Sequence, residues 1–189
     1  MPLSDESPDY LRRLPEGWYT GHAWVHWSMT IDDRKQAWLD DVMHGRVREF
    51  LVHTMARHEL VCPAYCLMPD HAHFLWMGTA AISDQKQAAA FFRRHWNREL
   101  RPLGMSLQKQ PYEHVLNEHE RNPDAFMDTF LYVLRNPEEA GLVKNWKEWP
   151  FLGAVAAGFP DTDPRAEDWP ERFWKIHNAE LRKHGFEAS

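Results

Sequence analysis

The stretch ELVCPAYCLMPDHAHFLWMG, residues 59–78, holds two apolar runs on either side of Pro69-Asp70. ELVCPAYCLM (59–68) and HAHFLWMG (71–78) are both rich in β-formers, and Pro-Asp is a tight-turn pair, so two antiparallel strands are expected. Proline has no N–H to give to a ladder, so Pro63 implies an edge position or a bulge. In a strand, residues i and i+2 share a face, which puts His71 and His73 side by side with Cα atoms roughly 6.5–7 Å apart. Ala72 points the other way. Two neutral imidazoles so placed can converge on one divalent ion. A hydrogen-bonded pair of histidines at a sheet edge has the same pattern, so the pair needs a third ligand to become a site.

Elements can be read outward from this hairpin. HAWVHWSMTI (22–31) is a strand by its aromatics and β-branched residues. Asp32 or Asp33 is placed to cap the helix that follows, whose apolar positions are Leu39, Val42, Met43, Val47, Phe50, Leu51 and Met55. Ser83 is expected to cap a helix with an apolar face of Ala88, Phe91, Phe92, Trp96 and Leu100. Arg94, Arg98 and Arg101 lie on its other face at i, i+4 and i+7. PYEHVL (111–116) is a fourth strand. Asn122-Pro123 starts a helix, expected to end near Asn136 because Pro137 disfavours α geometry before it. ERFWKIHNAELRKHG (171–185) is a terminal helix stopped by Gly185. The order β-α-β-β-α-β followed by helices gives an α+β fold: a ferredoxin-like antiparallel sheet with helices packed on one face, plus a C-terminal helical extension.

The chain has 189 residues, enough for one domain with a real core, and 43 % hydrophobic and 13 % aromatic residues exclude disorder. No apolar run reaches the roughly 20 residues needed to cross a bilayer, and the N-terminus lacks the pattern of a secretory signal. The two cysteines, Cys62 and Cys66, are too few for a disulfide framework or a zinc cluster and read as reduced, buried thiols of an intracellular protein. His44, His53 and His58 read as solvated, and most of the ten tryptophans as core. The net charge of −6 argues against nucleic acid, yet its distribution does not. Lys86, Arg93, Arg94, Arg98, Arg101 and Lys109 form a basic segment, while the acidic excess sits in DTDPRAEDWPE (161–171) and PEE (137–139).

The helix from Asn122 has an apolar stripe of Phe126, Met127, Phe130, Val133 and Leu134. Tyr132 lies off this stripe, on a face with Ala125, Asp128, Thr129 and Asn136. Tyr132 and Asn136 are one turn apart, so a phenol and an amide are presented together.

With YCLMPDHAHFLW (65–76) and YVLRNPEEAGLV (132–143) both in hand, the chain resembles the REP-associated tyrosine transposases. These are single-tyrosine transposases of the HUH class, named for His, hydrophobic residue, His. The resemblance runs from about Tyr19 to about Gly158 and takes in PYEHVL and EWPFLGA. It implies an HUH endonuclease fold for residues 19–158, with an N-terminal arm (1–18) and an extension (159–189). It further implies His71 and His73 as the metal pair, Asn136 as the third ligand, and Tyr132 as the nucleophile. Mg²⁺ or Mn²⁺ is the expected ion, with zinc the alternative from two histidines alone. The implied reaction is cleavage and rejoining of single-stranded DNA near hairpins through a 5′-phosphotyrosine. A domesticated protein that binds hairpins and cleaves weakly is the alternative. Arg93, Arg94, Arg98, Arg101 and Lys109 are the expected DNA contacts, and His114 matches a recurrent family position that is either structural or near the site. A cytoplasmic monomer or homodimer, nucleoid-associated when DNA-bound and with no membrane partner, is expected. Two places depart from the family: Glu138-Glu139, where relatives commonly have Val-Arg, and Asn117, where they often have Arg. Both remove positive charge near the expected DNA.

Overall fold

The computed structural model describes residues 14–116, 122–160 and 162–186. Residues 1–13 of the expected N-terminal arm, and Asn117, lie outside the described residues. In chain order the elements are β1 (Trp24–Thr30), α1 (Asp41–His58), β2 (Leu60–Leu67), β3 (His71–Gly78), α2 (Gln85–Leu100), β4 (Tyr112–Leu116), α3 (Pro123–Glu139), β5 (Leu152–Val155) and α4 (Trp169–Lys183). The strands form one antiparallel sheet in the order β4-β1-β3-β2-β5. The first four strands with α1 and α2 make the expected ferredoxin-like unit, and β5 extends its edge.

The hairpin of β2 and β3 closes as its turn chemistry requires, with Met68 N–H donating to the His71 carbonyl at 2.8 Å. β2 has neighbours on both sides, so Pro63 is not on an edge. The register shifts around it against both β3 and β5: the missing N–H is absorbed by a bulge.

Period-two alternation sends apolar residues to both faces of the sheet, and helices cover both. Val25, Trp27, Phe74 and Trp76 pack under α1 and α2 with Val47, Leu51, Phe92 and Trp96. Trp24, Leu75, Met77 and Cys66 pack under α3 and α4 with Phe126, Phe130, Val133, Trp169 and Phe173. The expectation of helices on one face is therefore corrected. The sheet's interior strands are apolar on both sides, which a single helical layer would leave half wet. Seven tryptophans (Trp24, Trp27, Trp38, Trp76, Trp96, Trp146 and Trp169) are buried in these two layers. Cys62 and Cys66 are free and buried, and burial pushes both thiols well above their ordinary pKa.

The helix caps differ from those expected. Asp40, not Asp32 or Asp33, caps α1 by accepting from Met43 N–H; Asp32–Arg34 form a short 3-10 turn instead. Asp84, not Ser83, caps α2 through Gln87 N–H, because the Ser83 hydroxyl donates to the Glu59 carbonyl at 2.6 Å. Asn122 does cap α3, accepting from Asp124 and Ala125 N–H. That helix runs past Asn136 to Glu139. Proline forfeits only one helical bond here, to the Val133 carbonyl, and the Asn136 side-chain amide reaches that carbonyl at 3.4 Å. In the first helix Val42 is exposed, and His44 is half-buried with its ring on the Tyr65 hydroxyl at 2.8 Å, not solvated. His58 is likewise partly covered, edge-on to Phe91, whereas His53 is exposed as expected.

Candidate functional site

On the α3 side of the sheet, β3 presents His71, His73, Leu75 and Met77, and β1 presents Trp24, His26, Ser28 and Thr30. The apolar ends of these two series sit in the core. Their polar ends meet where β1 finishes and β3 begins, since Thr30 pairs with His71 and Ser28 with His73.

Three imidazoles form a chain there. His71 Nε2 and His73 Nε2 face each other at 3.0 Å. His71 Nδ1 lies 2.6 Å from Asp70 Oδ1, and Asp70 Oδ2 accepts from the Arg34 guanidinium at 2.9 Å. His73 Nδ1 lies 3.0 Å from His26 Nε2. Each inner ring thus has its Nδ1 held and its Nε2 turned to one shared point, the arrangement by which partners behind a ligating histidine fix its orientation.

Burial sets the charge state. It pushes the His73 pKa down to about 3, with His26 and His71 adding repulsion and a hydrogen bond to Asn136 opposing. Burial takes His26 down to about 4, helped by His114. Both rings are neutral near pH 7, so each keeps one ring nitrogen with a lone pair, able to accept a hydrogen bond or to meet a cation. Burial works against the Asp70 carboxylate, yet hydrogen bonds from His71 and Arg34 hold its pKa below the ordinary value.

α3 crosses above. Its apolar stripe is buried, with Phe126, Phe130, Val133 and Leu134 at 3 % exposure or less. Tyr132 stays 47 % exposed. Its ring stands edge-on to His26 and His73, with centroids 5.4 and 5.8 Å away. Asn136, one turn on, donates its amide to the Tyr132 carbonyl at 2.7 Å and also hydrogen-bonds His73. His71, His73, Tyr132 and Asn136 therefore come together from two elements of one chain. His114 pairs with His26 across β1 and β4 and is exposed.

The donor set suits a divalent ion. It offers two convergent imidazole nitrogens and an adjacent amide, with the rings oriented from behind. No group of three or more His, Cys, Asp or Glu side chains is set to hold a metal among the described residues. The Asn136 amide, hydrogen-bonded to His73, is the side chain that α3 adds beside the two rings.

The basic residues form a separate feature. Arg93, Arg94, Arg98, Arg101 and Lys109 line one open groove with Asn97 and Leu107. It lies on α2, which covers the opposite sheet face. The loop after α2 nevertheless returns to the histidine end: Gln108 N–H donates to the Thr30 carbonyl at 2.9 Å, and Ile31 N–H to the Asp70 carbonyl at 2.9 Å. Arg93 donates to the Gln108 carbonyl and anchors that loop. Of the two acidic departures, Glu138 turns its carboxylate to Trp146 N–H at 3.1 Å, while Glu139 is exposed.

His26 is the site residue the sequence reading missed. Its only signal was a histidine on the polar alternation of β1, and its meaning depends on which strand β1 pairs with.

No family model matches the chain. In sequence it is 23 % identical over 162 residues to a Haemophilus influenzae protein named "Putative REP-associated tyrosine transposase", covering 81 % of this chain and 88 % of the relative. In structure it is similar to a REP-associated tyrosine transposase bound to a REP hairpin, with a TM-score of 0.60 at 19 % identity, over 77 % of this chain and 82 % of that one. The chain is similar to REP-associated tyrosine transposases in sequence and shares their α+β fold.

Proposed function

We propose, from this likeness to REP-associated tyrosine transposases, that the chain binds hairpin DNA and cleaves and rejoins single-stranded DNA beside it. The observation that carries this reading is the half-exposed Tyr132 ring standing over the His73–His26 pair in the same chain. A core tyrosine would be buried with the stripe, and a purely surface tyrosine would not meet two buried imidazoles.

His71 and His73 would hold Mg²⁺ or Mn²⁺ through Nε2, with the Asn136 amide beside them. When bound, the ion supplies Lewis-acid activation of the scissile phosphate. The chain's own residues do the rest. Asp70, tied to Arg34, keeps the His71 ring turned inward. Tyr132 Oη bonds to phosphorus as the bond to the 3′ oxygen breaks; the phenol gives up one proton and the leaving 3′ oxygen takes one up. The product is a 5′-phosphotyrosine and a free 3′-OH. The bond energy is retained, so the reverse step rejoins strands without a nucleotide cofactor. Arg94, Arg98, Arg101 and Lys109 would hold phosphates leading to the site. The test is a covalent protein–DNA adduct on a denaturing gel, formed with a hairpin carrying a single-stranded tail and Mn²⁺.

A second reading, a hairpin-binding protein that cleaves weakly, is favoured by the exposed Glu139 carboxylate close after Asn136. It predicts hairpin binding with no adduct, and Glu139→Arg raising affinity.

A further inference from the structure

We infer that His26 is a positioning residue: it holds the His73 ring so that Nε2 faces His71 and presents its lone pair. The inference rests on the proposed role of His71 and His73 as metal donors and adds a residue that this role needs.

An imidazole can offer Nε2 as a lone pair only when its proton sits on Nδ1. His71 meets this condition through Asp70, whose carboxylate accepts at 2.6 Å. His73 is too far along the strand to share that carboxylate. Its Nδ1 instead meets His26 Nε2 at 3.0 Å, with the two rings inclined at 17° and 5.1 Å between centroids. His26 Nε2 is then the acceptor, which places the His26 proton on its own Nδ1. The two rings are nearly parallel, so this hydrogen bond lies close to both ring planes and holds the orientation of the His73 ring.

The position itself argues against plain packing. His26 is 7 % exposed, flanked on its strand face by Trp24 and directly paired with Leu75 and His114. An apolar side chain would fill this space without the cost of a buried polar ring. What His26 supplies and leucine does not is one acceptor aimed at Nδ1 of His73. It also touches the Tyr132 ring, so the same imidazole abuts the proposed nucleophile and supports the proposed ligand.

The test measures Mn²⁺ binding to the full chain by calorimetry, with no DNA present, in wild type, His26→Leu, His26→Gln and His73→Ala. Glutamine carries its Oε1 close to where Nε2 stood and restores the acceptor. Loss of a partner behind a ligating histidine weakens metal binding about 10- to 100-fold; His26→Leu should fall in that range and His26→Gln should recover most of it. If His26→Leu melts below the assay temperature, His26→Phe, which keeps the ring volume, replaces it. Wild-type affinity in His26→Leu, with binding lost in His73→Ala, overturns the inference and leaves the metal pair standing. Equal losses in folded His26→Leu and His26→Gln also overturn it, since packing alone would then explain the effect. Wild-type affinity in His73→Ala would defeat the metal pair itself, and the inference with it.

Discussion

Replacing Arg94 and Arg98 together by glutamine should change how salt controls DNA binding, and the change can be sized from the groove. Five basic side chains line it. Arg93 is committed to the Gln108 carbonyl, which leaves Arg94, Arg98, Arg101 and Lys109 for phosphates. Each phosphate neutralised contributes about 0.7 (single strand) to about 0.9 (duplex) to the slope of log affinity against log salt. Four contacts give a slope of about 2.8–3.6, and the double substitution removes about 1.4–1.8 of it. Between about 50 and about 200 mM salt, the variant should therefore lose about 7- to 12-fold less affinity than wild type. Arg94 and Arg98 are exposed, so the fold should be unaffected. Fluorescence anisotropy of a labelled hairpin with a single-stranded tail, titrated at several salt concentrations, measures the slope directly. A double variant with wild-type affinity and an unchanged slope would refute the groove as the DNA path, leaving Arg34 and Lys35 beside the histidines as the next basic residues to examine.

His177 on α4 is buried, and burial lowers its pKa from 6.5 to about 4. The unfolded chain takes up this proton first, so stability is full above pH 6.5 and falls as pH drops from 6.5 to 4. The loss amounts to roughly 3 kcal/mol. Urea unfolding of His177→Leu at pH 7 and pH 4 should show a smaller acid loss by about that amount, and an identical pH profile would show that His177 does not titrate this way. A Cβ on Gly78 would lie 1.8 Å from the Gly21 carbonyl oxygen, which is backbone and cannot swing aside. Gly78→Ala should cost about 3 kcal/mol and lower Tm by about 6–12 °C, read by calorimetry; an unchanged Tm would mean the β1 and β3 ends are not held this closely. Trimming Asn136 to alanine removes the amide from the site and from the Tyr132 and Val133 carbonyls. Mn²⁺ affinity should fall while α3 persists by circular dichroism, and unchanged affinity would remove Asn136 from the ligand set.

The elements with strong local signals were legible in the sequence. The β2–β3 hairpin, the long amphipathic helices and the Asn122-Pro123 start each follow from neighbours within a few residues. The side-by-side projection of His71 and His73 needed only the strand period. Features that depend on distant partners were not legible. Ser83 and Asp84 are both good cap residues, and the choice fell to Asp84 because the Glu59 carbonyl, 24 residues away, takes the serine hydroxyl. Pro137 stops a helix in isolation, yet the Asn136 amide supports the carbonyl it leaves without a donor. β5 is four residues long, and only β2 beside it makes it a strand. His26 gains its meaning from a ring pair across β1 and β3 that no local pattern encodes. The Tyr132 face of α3 was legible as a departure from the apolar stripe, but that it lies over His73 and His26 required the sheet.

The central claim is that Tyr132 becomes covalently bound to DNA, and its hydroxyl is the one atom group whose removal isolates it. Tyr132 is half-exposed and its ring makes the edge contacts to His26 and His73, so Tyr132→Phe should keep fold, metal affinity and hairpin binding. Incubated with a tailed hairpin and Mn²⁺ and run on a denaturing gel, wild type should give a slower protein–DNA band. Tryptic mass spectrometry should assign the attached phosphate to Tyr132, and Tyr132→Phe should give no band. A full-yield adduct in Tyr132→Phe, or one mapped to Tyr112 or Tyr19, would contradict the account.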